Sequence, residues 1–595
     1  MSNENKTAKA ETVSTVRVVR EYAEALGVAL VLAFIFKAFA IEAYMIPTGS
    51  MASTLMGRHK DVNCEVCGYP FQVGSSREVD ENGYAGSEQP SVVSGTCPQC
   101  NFTMYLGEDN TANRNYMSYN GDRIFVNKYL FDFRKPKRWH VTVFRYPANP
   151  YINYIKRLVG VENETLRICH GDIFVKKDSE NDFKIQRKPL RALKAMLRPV
   201  NDNDYVYVPA LKLGYPANWY SGSDDTNSIW TTEDDKSFGT KPAADTQTRW
   251  LKYRNVHPSA DEWSELLNNQ LPNTADLDKP MLVTDFLAYD SELLVSGSWL
   301  PPMRSAKIEK DGKSTALQLP PQNARSMGQN WVGDLALSCS LTVQETKGKI
   351  TLRLTKGGQA FHCEIDPAAG QAEFSIPDVP EFPVFSVPTP INAAGQYEVM
   401  FCNIDEQLRL VVNGSEIDLQ GRGDYDALCL PESKLSRERK PTAADLEPAA
   451  VGVSGGAVVR LEHLKIQRDA YYVSCKDATE DAQCDLIHSP YMRSDLFPPS
   501  ENGYRKFLMS PERWVEFGKT RVSEFKLGKG QYLMLGDNSL QSKDGRSWTV
   551  DGIPFYVEQK FLIGEAVSVY WGHGWRIPGT RLALIPNFPK MRWID

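Results

Sequence analysis

One apolar segment near the N-terminus constrains this chain more than any other feature. Residues 25–46 read A-L-G-V-A-L-V-L-A-F-I-F-K-A-F-A-I-E-A-Y-M-I, and about 20 apolar residues suffice for a helix to cross the hydrocarbon core of a bilayer. Lys37 and Glu42 lie in its later half, where long side chains reach the polar interface. The segment predicts a single-pass membrane anchor. A cleavable signal peptide is the alternative, because the uninterrupted apolar core covers only residues 25–36.

Basic residues on the two sides of this segment indicate its orientation. Those before it are Lys6, Lys9, Arg17 and Arg20, and those shortly after it are Arg58 and Lys60. Because cytoplasmic flanks carry an excess of Lys and Arg, this distribution favours a cytoplasmic N-terminus. We therefore expect the body of the protein on the extracytoplasmic side of the cell membrane.

The composition is that of a folded protein with several domains. The chain has 595 residues, of which 42% are hydrophobic and 24% charged, and this length accommodates more than one core. The net charge of −6 argues against a nucleic-acid partner, which would require a basic surface.

Beyond the apolar segment the pattern is mainly β. Short runs of alternating apolar and polar residues, such as 122–128 and 140–145, are separated by turn residues. Residues 188–281 are polar with weak periodicity, whereas regular strand patterns return between 282 and 468. There Asn413-Gly414 predicts a tight hairpin turn. The spacing indicates an antiparallel β-sandwich, whose strand order resembles that of the concanavalin-like jelly rolls.

Three short motifs carry the chemistry. Ser50 follows the apolar segment within I-P-T-G-S-M, but a serine hydroxyl is a weak nucleophile without a base. Lys156 lies in the apolar, β-prone sequence Y-I-K-R-L-V-G. A buried lysine has a lowered pKa and can act as a general base, although an ordinary solvated strand lysine is the alternative. A third motif, residues 536–546, forms a polar loop after an apolar strand, in which Asp544 and Arg546 are expected to pair.

In combination these motifs resemble the type I signal peptidases, the membrane-bound serine endopeptidases of family S26. The resemblance rests on I-P-T-G-S-M-A-S-T-L, F-R-Y-P from residue 144, Y-I-K-R-L-V-G from 154, G-D-N…S-K-D-G-R from 536 and G-E-A from 564, in that order. It implies cleavage of N-terminal signal peptides from exported precursors, with no cofactor for catalysis. This chain departs from the family pattern at three positions. The usual arginine and aspartate after G-D-N are Ser539 and Leu540 here, and the usual serine before the last arginine is Gly545.

The resemblance also implies roles for individual residues. Ser50 is the nucleophile and Lys156 the general base of a Ser–Lys dyad. The implied oxyanion and supporting residues are Thr48, Ser542, Asp537, Asp544, Arg546 and Arg145, with Ser542 orienting Lys156. The implied substrate-binding residues are Tyr44, Ile46, Pro47, Met51, Leu55, Tyr154 and Ile155. An extended substrate is expected to add as a strand beside these elements, and the implied partners are signal-peptide precursors, the lipid bilayer and the secretion machinery.

Two Cys-x-x-Cys pairs suggest a separate metal site. Cys64, Cys67, Cys97 and Cys100 supply four thiols, which suits tetrahedral zinc in a zinc ribbon. The segment between the pairs is longer than the usual ~15–20 residues, and disulfides are the alternative on the extracytoplasmic side. The other cysteines are expected to be small buried residues, apart from a possible pair between Cys475 and Cys484.

These patterns predict a mainly β protein with a transmembrane helix, a β-rich signal-peptidase catalytic domain, an inserted zinc ribbon and an inserted concanavalin-like sandwich. The predicted boundaries are 1–24 (cytoplasmic tail), 25–46 (anchor), 47–63 (catalytic, with the nucleophile), 64–105 (ribbon), 106–187 (catalytic, with the base), 188–281 (irregular insertion), 282–468 (sandwich) and 469–595 (catalytic, last part).

Two other functions compete with a membrane-bound peptidase. A soluble Ser–Lys autoprotease of the damage-response repressors would carry a DNA-binding N-terminal domain, which the apolar segment argues against. A membrane-tethered glycan-binding or adhesion protein would use the sandwich and retain a non-functional peptidase core. The presence of both Ser50 and Lys156 argues against that loss.

Overall fold

The structure, a computed structural model, describes most of the chain. The described residues are 15–39, 41–80, 84, 89–107, 117–221, 228–242, 247–296, 300–310, 313–321, 328–377, 379–425, 440–474, 485, 501–518, 520–574 and 586–594. Cys475 and Cys484 lie outside them, so the expected pair between these cysteines remains a prediction.

The N-terminal helix differs from the predicted anchor. Helix α1 covers Thr15–Phe39, and strand β1 (Ile41–Met45) follows it. The predicted span of 25–46 is therefore wrong in its bounds, because its last residues pair with another strand of the sheet. Among the helices that the structure describes, none combines the length and the apolarity needed to cross a membrane.

The rest of the fold is mainly β, as predicted. The remaining helices are α2 (Leu130–Phe133), α3 (Leu190–Met196), α4 (Val208–Lys212), α5 (Ala260–Leu267) and α6 (Glu501–Leu508). The strands up to residue 187 are β2 (His59–Asn63), β3 (Pro70–Gly74), β4 (Ser91–Thr96), β5 (Thr103–Tyr105), β6 (Arg123–Asn127), β7 (Val141–Tyr146), β8 (Asn149–Gly160), β9 (Glu164–Cys169), β10 (Asp172–Lys177) and β11 (Lys184–Ile185).

The strands between residues 188 and 468 are β12 (Arg198–Asp202), β13 (Trp219–Tyr220), β14 (Trp230–Thr231), β15 (Phe238–Thr240), β16 (Arg249–Tyr253), β17 (Leu293–Val295), β18 (Arg304–Lys310), β19 (Lys313–Leu319), β20 (Leu335–Val343), β21 (Lys349–Lys356), β22 (Gln359–Asp366), β23 (Gln371–Ser375), β24 (Phe385–Pro388), β25 (Gly395–Ile404), β26 (Gln407–Val412), β27 (Ser415–Glu416), β28 (Ala449–Ser454) and β29 (Val459–Arg468). The last strands are β30 (Ser523–Leu527), β31 (Gln531–Leu535), β32 (Val557–Glu558), β33 (Leu562–Trp571) and β34 (Arg592–Trp593).

One sheet gathers strands from distant parts of the chain and carries Lys156 and the strand that leads into residues 536–546. Its order is β1-β6-β33-β7-β8-β31-β32, with β34 beside β33. A smaller sheet, β11-β10-β9-β30, packs against it through a shared core that includes Ile168 and Leu535. Because β8 pairs with β31, the Lys156 strand lies next to the strand that leads into residues 536–546.

Two further sheets form a separate sandwich. Their orders are β14-β15-β29-β20-β25-β26-β27 and β13-β16-β28-β21-β22-β23-β24, and β12 also pairs with β29. Buried side chains of both sheets, among them Leu337, Leu352 and Phe401, form one hydrophobic cluster. The hairpin between β26 and β27 turns at Asn413 and Gly414, both with positive φ, as predicted for this dipeptide.

The structure redistributes the predicted insertions. Strands β12 to β16 lie within 188–281, the region predicted to be irregular, yet they extend both sandwich sheets. Most of these strands are too short, within a polar stretch of the chain, to show a regular alternation of apolar and polar residues. Conversely, β17 to β19 lie within the predicted sandwich region, but β17 pairs with β4 and the β18–β19 hairpin packs beside the paired cysteines.

Candidate functional site

Ser50 lies in a tight turn between two strands. Residues Gly49–Met51 form a single 3₁₀ turn after β1, and Thr48 before them has an extended backbone, with φ −117° and ψ 159°. Ser50 is half-buried, whereas Thr48 is exposed. The turn thus presents the serine hydroxyl at the surface of the sheet and leaves the Thr48 side chain accessible.

Lys156 meets this serine from the neighbouring part of the sheet. It lies opposite Thr142 in the β7–β8 ladder, its side chain is 4% exposed, and its Nζ is in hydrogen-bond contact with Ser50 Oγ. The pKa of Lys156 is lowered to about 8, mainly by burial; Arg546 acts in the same direction, and Asp544 and Asp537 oppose it. A lysine with this pKa is partly neutral near neutral pH and can accept a proton from a hydroxyl.

The acidic residue Asp537 is held by the residue that follows Lys156. Arg157 Nε and Nη2 each donate to one carboxylate oxygen at 2.7 Å, and Thr54 Oγ1 donates at 2.6 Å. Burial acts to raise the pKa of Asp537, but the charge and hydrogen bonds of Arg157 outweigh it and lower the pKa. Because successive residues of a strand point to opposite faces, Lys156 reaches Ser50 while Arg157 reaches Asp537.

The 536–546 loop carries a second buried ion pair. Arg546 donates to both oxygens of Asp544, at 2.9 and 2.7 Å, and the backbone N–H of Gly536 donates to the same carboxylate at 3.0 Å. Burial acts to raise the pKa of Asp544, and the charge of Arg546 outweighs it. Both carboxylates nearest to Lys156 are therefore already bound by arginines.

The Ser542 hydroxyl is also buried beside Asp544, but its hydrogen bonding is less clear than that of Arg546. Its buried Oγ faces Asp544, yet it forms no hydrogen bond of normal geometry, with Lys156 or with any other described residue. Gly536 is close enough to Ser542 that a side chain there would collide with the hydroxyl. The orienting role of Ser542 therefore remains a prediction.

Arg145 does not join the buried cluster. Its side chain is exposed on β7, and no hydrogen bond among the described residues links it to Asp537 or Asp544. Arg157 instead supplies the buried guanidinium. The sequence places both arginines in strands, and only the register of β8 against β31 reveals which one faces the loop.

The predicted substrate-binding residues fall into two groups. Ile46, Met51 and Leu55 are 3%, 0% and 0% exposed and belong to the hydrophobic core beneath the turn. Pro47 is exposed, and Tyr44, Tyr154 and Ile155 are partly exposed. Only the second group can touch a substrate directly, and the first group supports it from below.

Residues 288–290 contact the turn that carries Ser50, and no sequence pattern predicted this contact. The ring of Tyr289 packs so closely on Gly49 that a side chain at Gly49 would collide with it. Asn538 donates from Nδ2 to Gly49 O at 3.2 Å and to Asp290 Oδ1 at 2.7 Å, and its N–H donates to Ser50 O at 3.2 Å. No local pattern marks Asp290, because its role depends on a partner 248 residues away.

The four paired cysteines converge, although the pairs are distant in sequence. Their sulfur atoms all lie within 4.8 Å of one another, and the distances Cys64 Sγ–Cys100 Sγ and Cys67 Sγ–Cys97 Sγ are both 3.6 Å. Tetrahedral zinc with Zn–S bonds of about 2.3 Å would separate the sulfurs by roughly 3.8 Å. The four thiols are free and fit such an ion.

The remaining cysteines that the structure describes fit the sequence expectation. Cys169, Cys339, Cys363 and Cys402 are buried, and none forms a disulfide with another described residue. They lie on strands of the sheets, so packing accounts for them.

A known protein family matches the segments that carry Lys156 and the 536–546 loop. A profile of the family described as "Signal peptidase, peptidase S26" matches residues 103–211 and 462–571. The chain is therefore similar to the S26 signal peptidases over these two segments. They include Lys156 and the 536–546 loop, and the interval between them holds most of the sandwich.

The curated relatives that this chain matches are also signal peptidases. The chain is 44% identical to signal peptidase I of Pseudomonas aeruginosa over 59 residues, 8% of this chain and 21% of that protein. It is 30% identical to signal peptidase I of Aquifex aeolicus over 87 residues, 15% of this chain and 32% of that protein. The resemblance to type I signal peptidases is thus confirmed, although the chain spans only a fifth to a third of the length of these relatives.

The similarity to solved structures is weak. A galectin of Caenorhabditis elegans, LEC-6, aligns with 22% of this chain and 83% of its own length, at 13% identity and a TM-score of 0.15. A likeness this low supports no inference about the sandwich, and it does not favour a glycan-binding function.

Proposed function

We propose that this protein is a membrane-associated serine endopeptidase that removes N-terminal signal peptides from exported precursors through Ser50 and Lys156. The observation that carries the proposal is the contact between a buried lysine with a lowered pKa and the hydroxyl of an accessible serine. The S26 profile match supplies the substrate class.

The proposed reaction uses the neutral amine of Lys156 twice. Lys156 takes the proton of Ser50 as its Oγ attacks the scissile carbonyl carbon, and the protonated lysine then passes that proton to the leaving amine. The product is an ester between Ser50 and the signal peptide. Lys156 next takes a proton from water, which attacks the ester and frees the serine. The Ser50 N–H and the Thr48 hydroxyl are the proposed donors to the oxyanion.

An extended substrate fits the free edges near this pair. Among the described strands β1 pairs only with β6, and β31 pairs with β8 only from Arg157 onward. The backbone before Lys156 therefore has a free edge on that side, and a peptide strand can pair there. Tyr44, Pro47 and Tyr154 are the accessible side chains along this path.

Association with a membrane is supported by the exposed surface of α1. Leu26, Val28, Leu30 and Val31 are 58–62% exposed on this helix. Exposed apolar side chains in such a row suit contact with lipid or another apolar surface. The expected partners are the bilayer, the secretory precursors and the secretion machinery.

The test is a cleavage assay with the purified full chain. We expect it to cut a secretory precursor with an Ala-x-Ala site at a single bond, as seen by product mass, and to leave a precursor with Phe in place of the last Ala intact. Ser50→Ala should yield no product. Equal cleavage by Ser50→Ala would refute the proposal, and binding on a glycan array without any cleavage would favour the adhesion alternative.

We further propose a structural zinc ion at the four cysteines. The support is the spacing of the sulfurs, and the ion would join the turn between β2 and β3 to the turn between β4 and β5. Metal analysis should show one zinc ion fewer per chain in Cys97→Ser than in the unchanged protein. An unchanged zinc content would reject the zinc ribbon.

A further inference from the structure

A second cluster of metal-ligating side chains joins the first and last parts of the chain. This His–Asp–His cluster consists of His59 and Asp61 on β2 and His573 just after β33. One ligand atom of each lies within 4.8 Å of the others. His59 Nε2 is 3.7 Å from Asp61 Oδ1, and His573 Nε2 contacts Asp61 Oδ2. The three side chains therefore converge on one point.

Both histidines present the same nitrogen to that point. His59 Nδ1 is 2.7 Å from Gly57 O, and His573 Nδ1 is 3.2 Å from Gly574 O. A carbonyl oxygen only accepts, so each Nδ1 carries a hydrogen, and in a neutral ring Nε2 then offers its lone pair to a metal ion. Histidines that bind metals are commonly held in this way, with the other ring nitrogen donating to a backbone carbonyl.

His59 leaves a polar atom without a hydrogen bond. Its side chain is 1% exposed, and Nε2 has no hydrogen-bond partner among the described residues. Buried nitrogen atoms in folded proteins nearly always have a partner. A cation bound between His59 Nε2 and Asp61 would supply one.

A positive charge already lies among these ligands. Lys590 Nζ is 3.1 and 3.0 Å from the two oxygens of Asp61 and 2.6 Å from His573 Nε2. The Lys590 side chain is 28% exposed, so its flexible stem can swing toward solvent. The alternative is a fixed ion pair between Lys590 and Asp61 that binds no metal.

We propose that His59, Asp61 and His573 bind a divalent transition-metal ion, which displaces the ammonium of Lys590. Two imidazoles and one carboxylate are a donor set that suits zinc and similar ions. The ion would tie β2 to the segment after β33. Because His59 bonds to the Gly57 carbonyl and Gly57 packs directly on Thr48, the site would also hold the nucleophile turn from behind.

The test uses zinc as the probe and the full chain without any substrate, so its outcome does not depend on peptidase activity. The protein is stripped with a chelator, titrated with zinc and analysed for the number and affinity of bound ions. We expect the ion of the His–Asp–His cluster to be lost in His573→Ala, which keeps the ion at the four cysteines, and to be retained in Cys97→Ser, which loses that other ion. Lys590→Met removes the competing charge, so we expect it to bind this ion at least tenfold more tightly. Lys560→Met, which removes an exposed lysine elsewhere, is the matched control.

Lys590→Met keeps all three ligands, so the test does not rely on a variant that loses its fold. If the cluster is only an ion pair, Lys590→Met will melt at a lower temperature and zinc will not restore it. That result, or an equal zinc content in the unchanged protein and His573→Ala, would overturn the proposal.

Discussion

Two lysines of this protein are equally buried and behave in opposite ways. Lys156 is 4% exposed and Lys188 is 2% exposed. Burial lowers the pKa of Lys156 to about 8. At Lys188 burial also acts to lower the pKa, but the charges of Asp405 and Asp469 outweigh it and raise the pKa above its ordinary value. Burial alone therefore does not make a lysine a base.

The difference lies in whether the nearby carboxylates are already paired. Lys188 Nζ donates to Asp405 at 2.5 Å and to Asp469 at 2.6 Å, which fixes it as an ammonium between the sandwich and the catalytic sheets. Near Lys156, by contrast, the carboxylates of Asp537 and Asp544 are bound by their own arginines. The lysine is left with a hydroxyl partner, and its neutral form becomes accessible.

The largest expected effect is on catalysis. Ser50→Ala and Lys156→Ala should each lower kcat/KM for precursor cleavage by at least about 10³-fold, because the nucleophile and its base act as a unit. Lys177→Ala, which removes an exposed lysine of β10, should leave the rate unchanged. Cleavage by Lys156→Ala within tenfold of the unchanged protein would show that the two lysines do not differ in the proposed way.

Removing Lys188 should affect stability. Lys188→Met leaves Asp405 and Asp469 buried without their cation, and we expect the free energy of unfolding in urea to fall by about 3–5 kcal/mol. Lys194→Met, on the exposed face of α3, is the control and should change it by less than about 0.5 kcal/mol. A loss as small as that of the control would mean that the buried pairs contribute little.

Removing Lys156 should have the opposite effect on stability. An unfolded lysine has a pKa near 10.4 and the folded one about 8, so the unfolded state binds more protons between these values and stability rises with pH there. Below pH 8 the buried amine costs about 3 kcal/mol. We expect Lys156→Met to be more stable by about 2–3 kcal/mol at pH 7, with a gain that shrinks toward pH 10. A gain that does not depend on pH would point to packing alone.

The smallest expected effect concerns a buried carboxyl without a cation. Burial raises the pKa of Asp290 well above its usual range, and Glu292 adds to this; both effects favour the neutral carboxyl, which accepts a hydrogen bond from Asn538. Asp290→Ala should lower kcat/KM about fivefold, the equivalent of one hydrogen bond, whereas Asp290→Asn should stay within twofold. Equal losses in both variants would indicate that the carboxylate is ionised.

Local sequence predicted which motifs come together better than it predicted the architecture. The segments around Ser50 and Lys156 and the 536–546 loop each carry a recognisable motif, and the mainly β pattern was confirmed. The sequence did not predict the weakly periodic strands β12 to β16. It also did not predict that Arg157, and not Arg145, is the buried arginine. Both depend on pairing with strands far along the chain, which a local pattern cannot show. The contact of Asp290 with the turn has the same origin.

The pH dependence of precursor cleavage tests the role of Lys156 most directly. If its neutral amine is the base, kcat/KM should rise with pH along a limb with an apparent pKa near 8 and level off above it. A rate that is independent of pH between 6.5 and 9.5, or a limb near the pKa of ordinary lysine at about 10.4, would contradict the account.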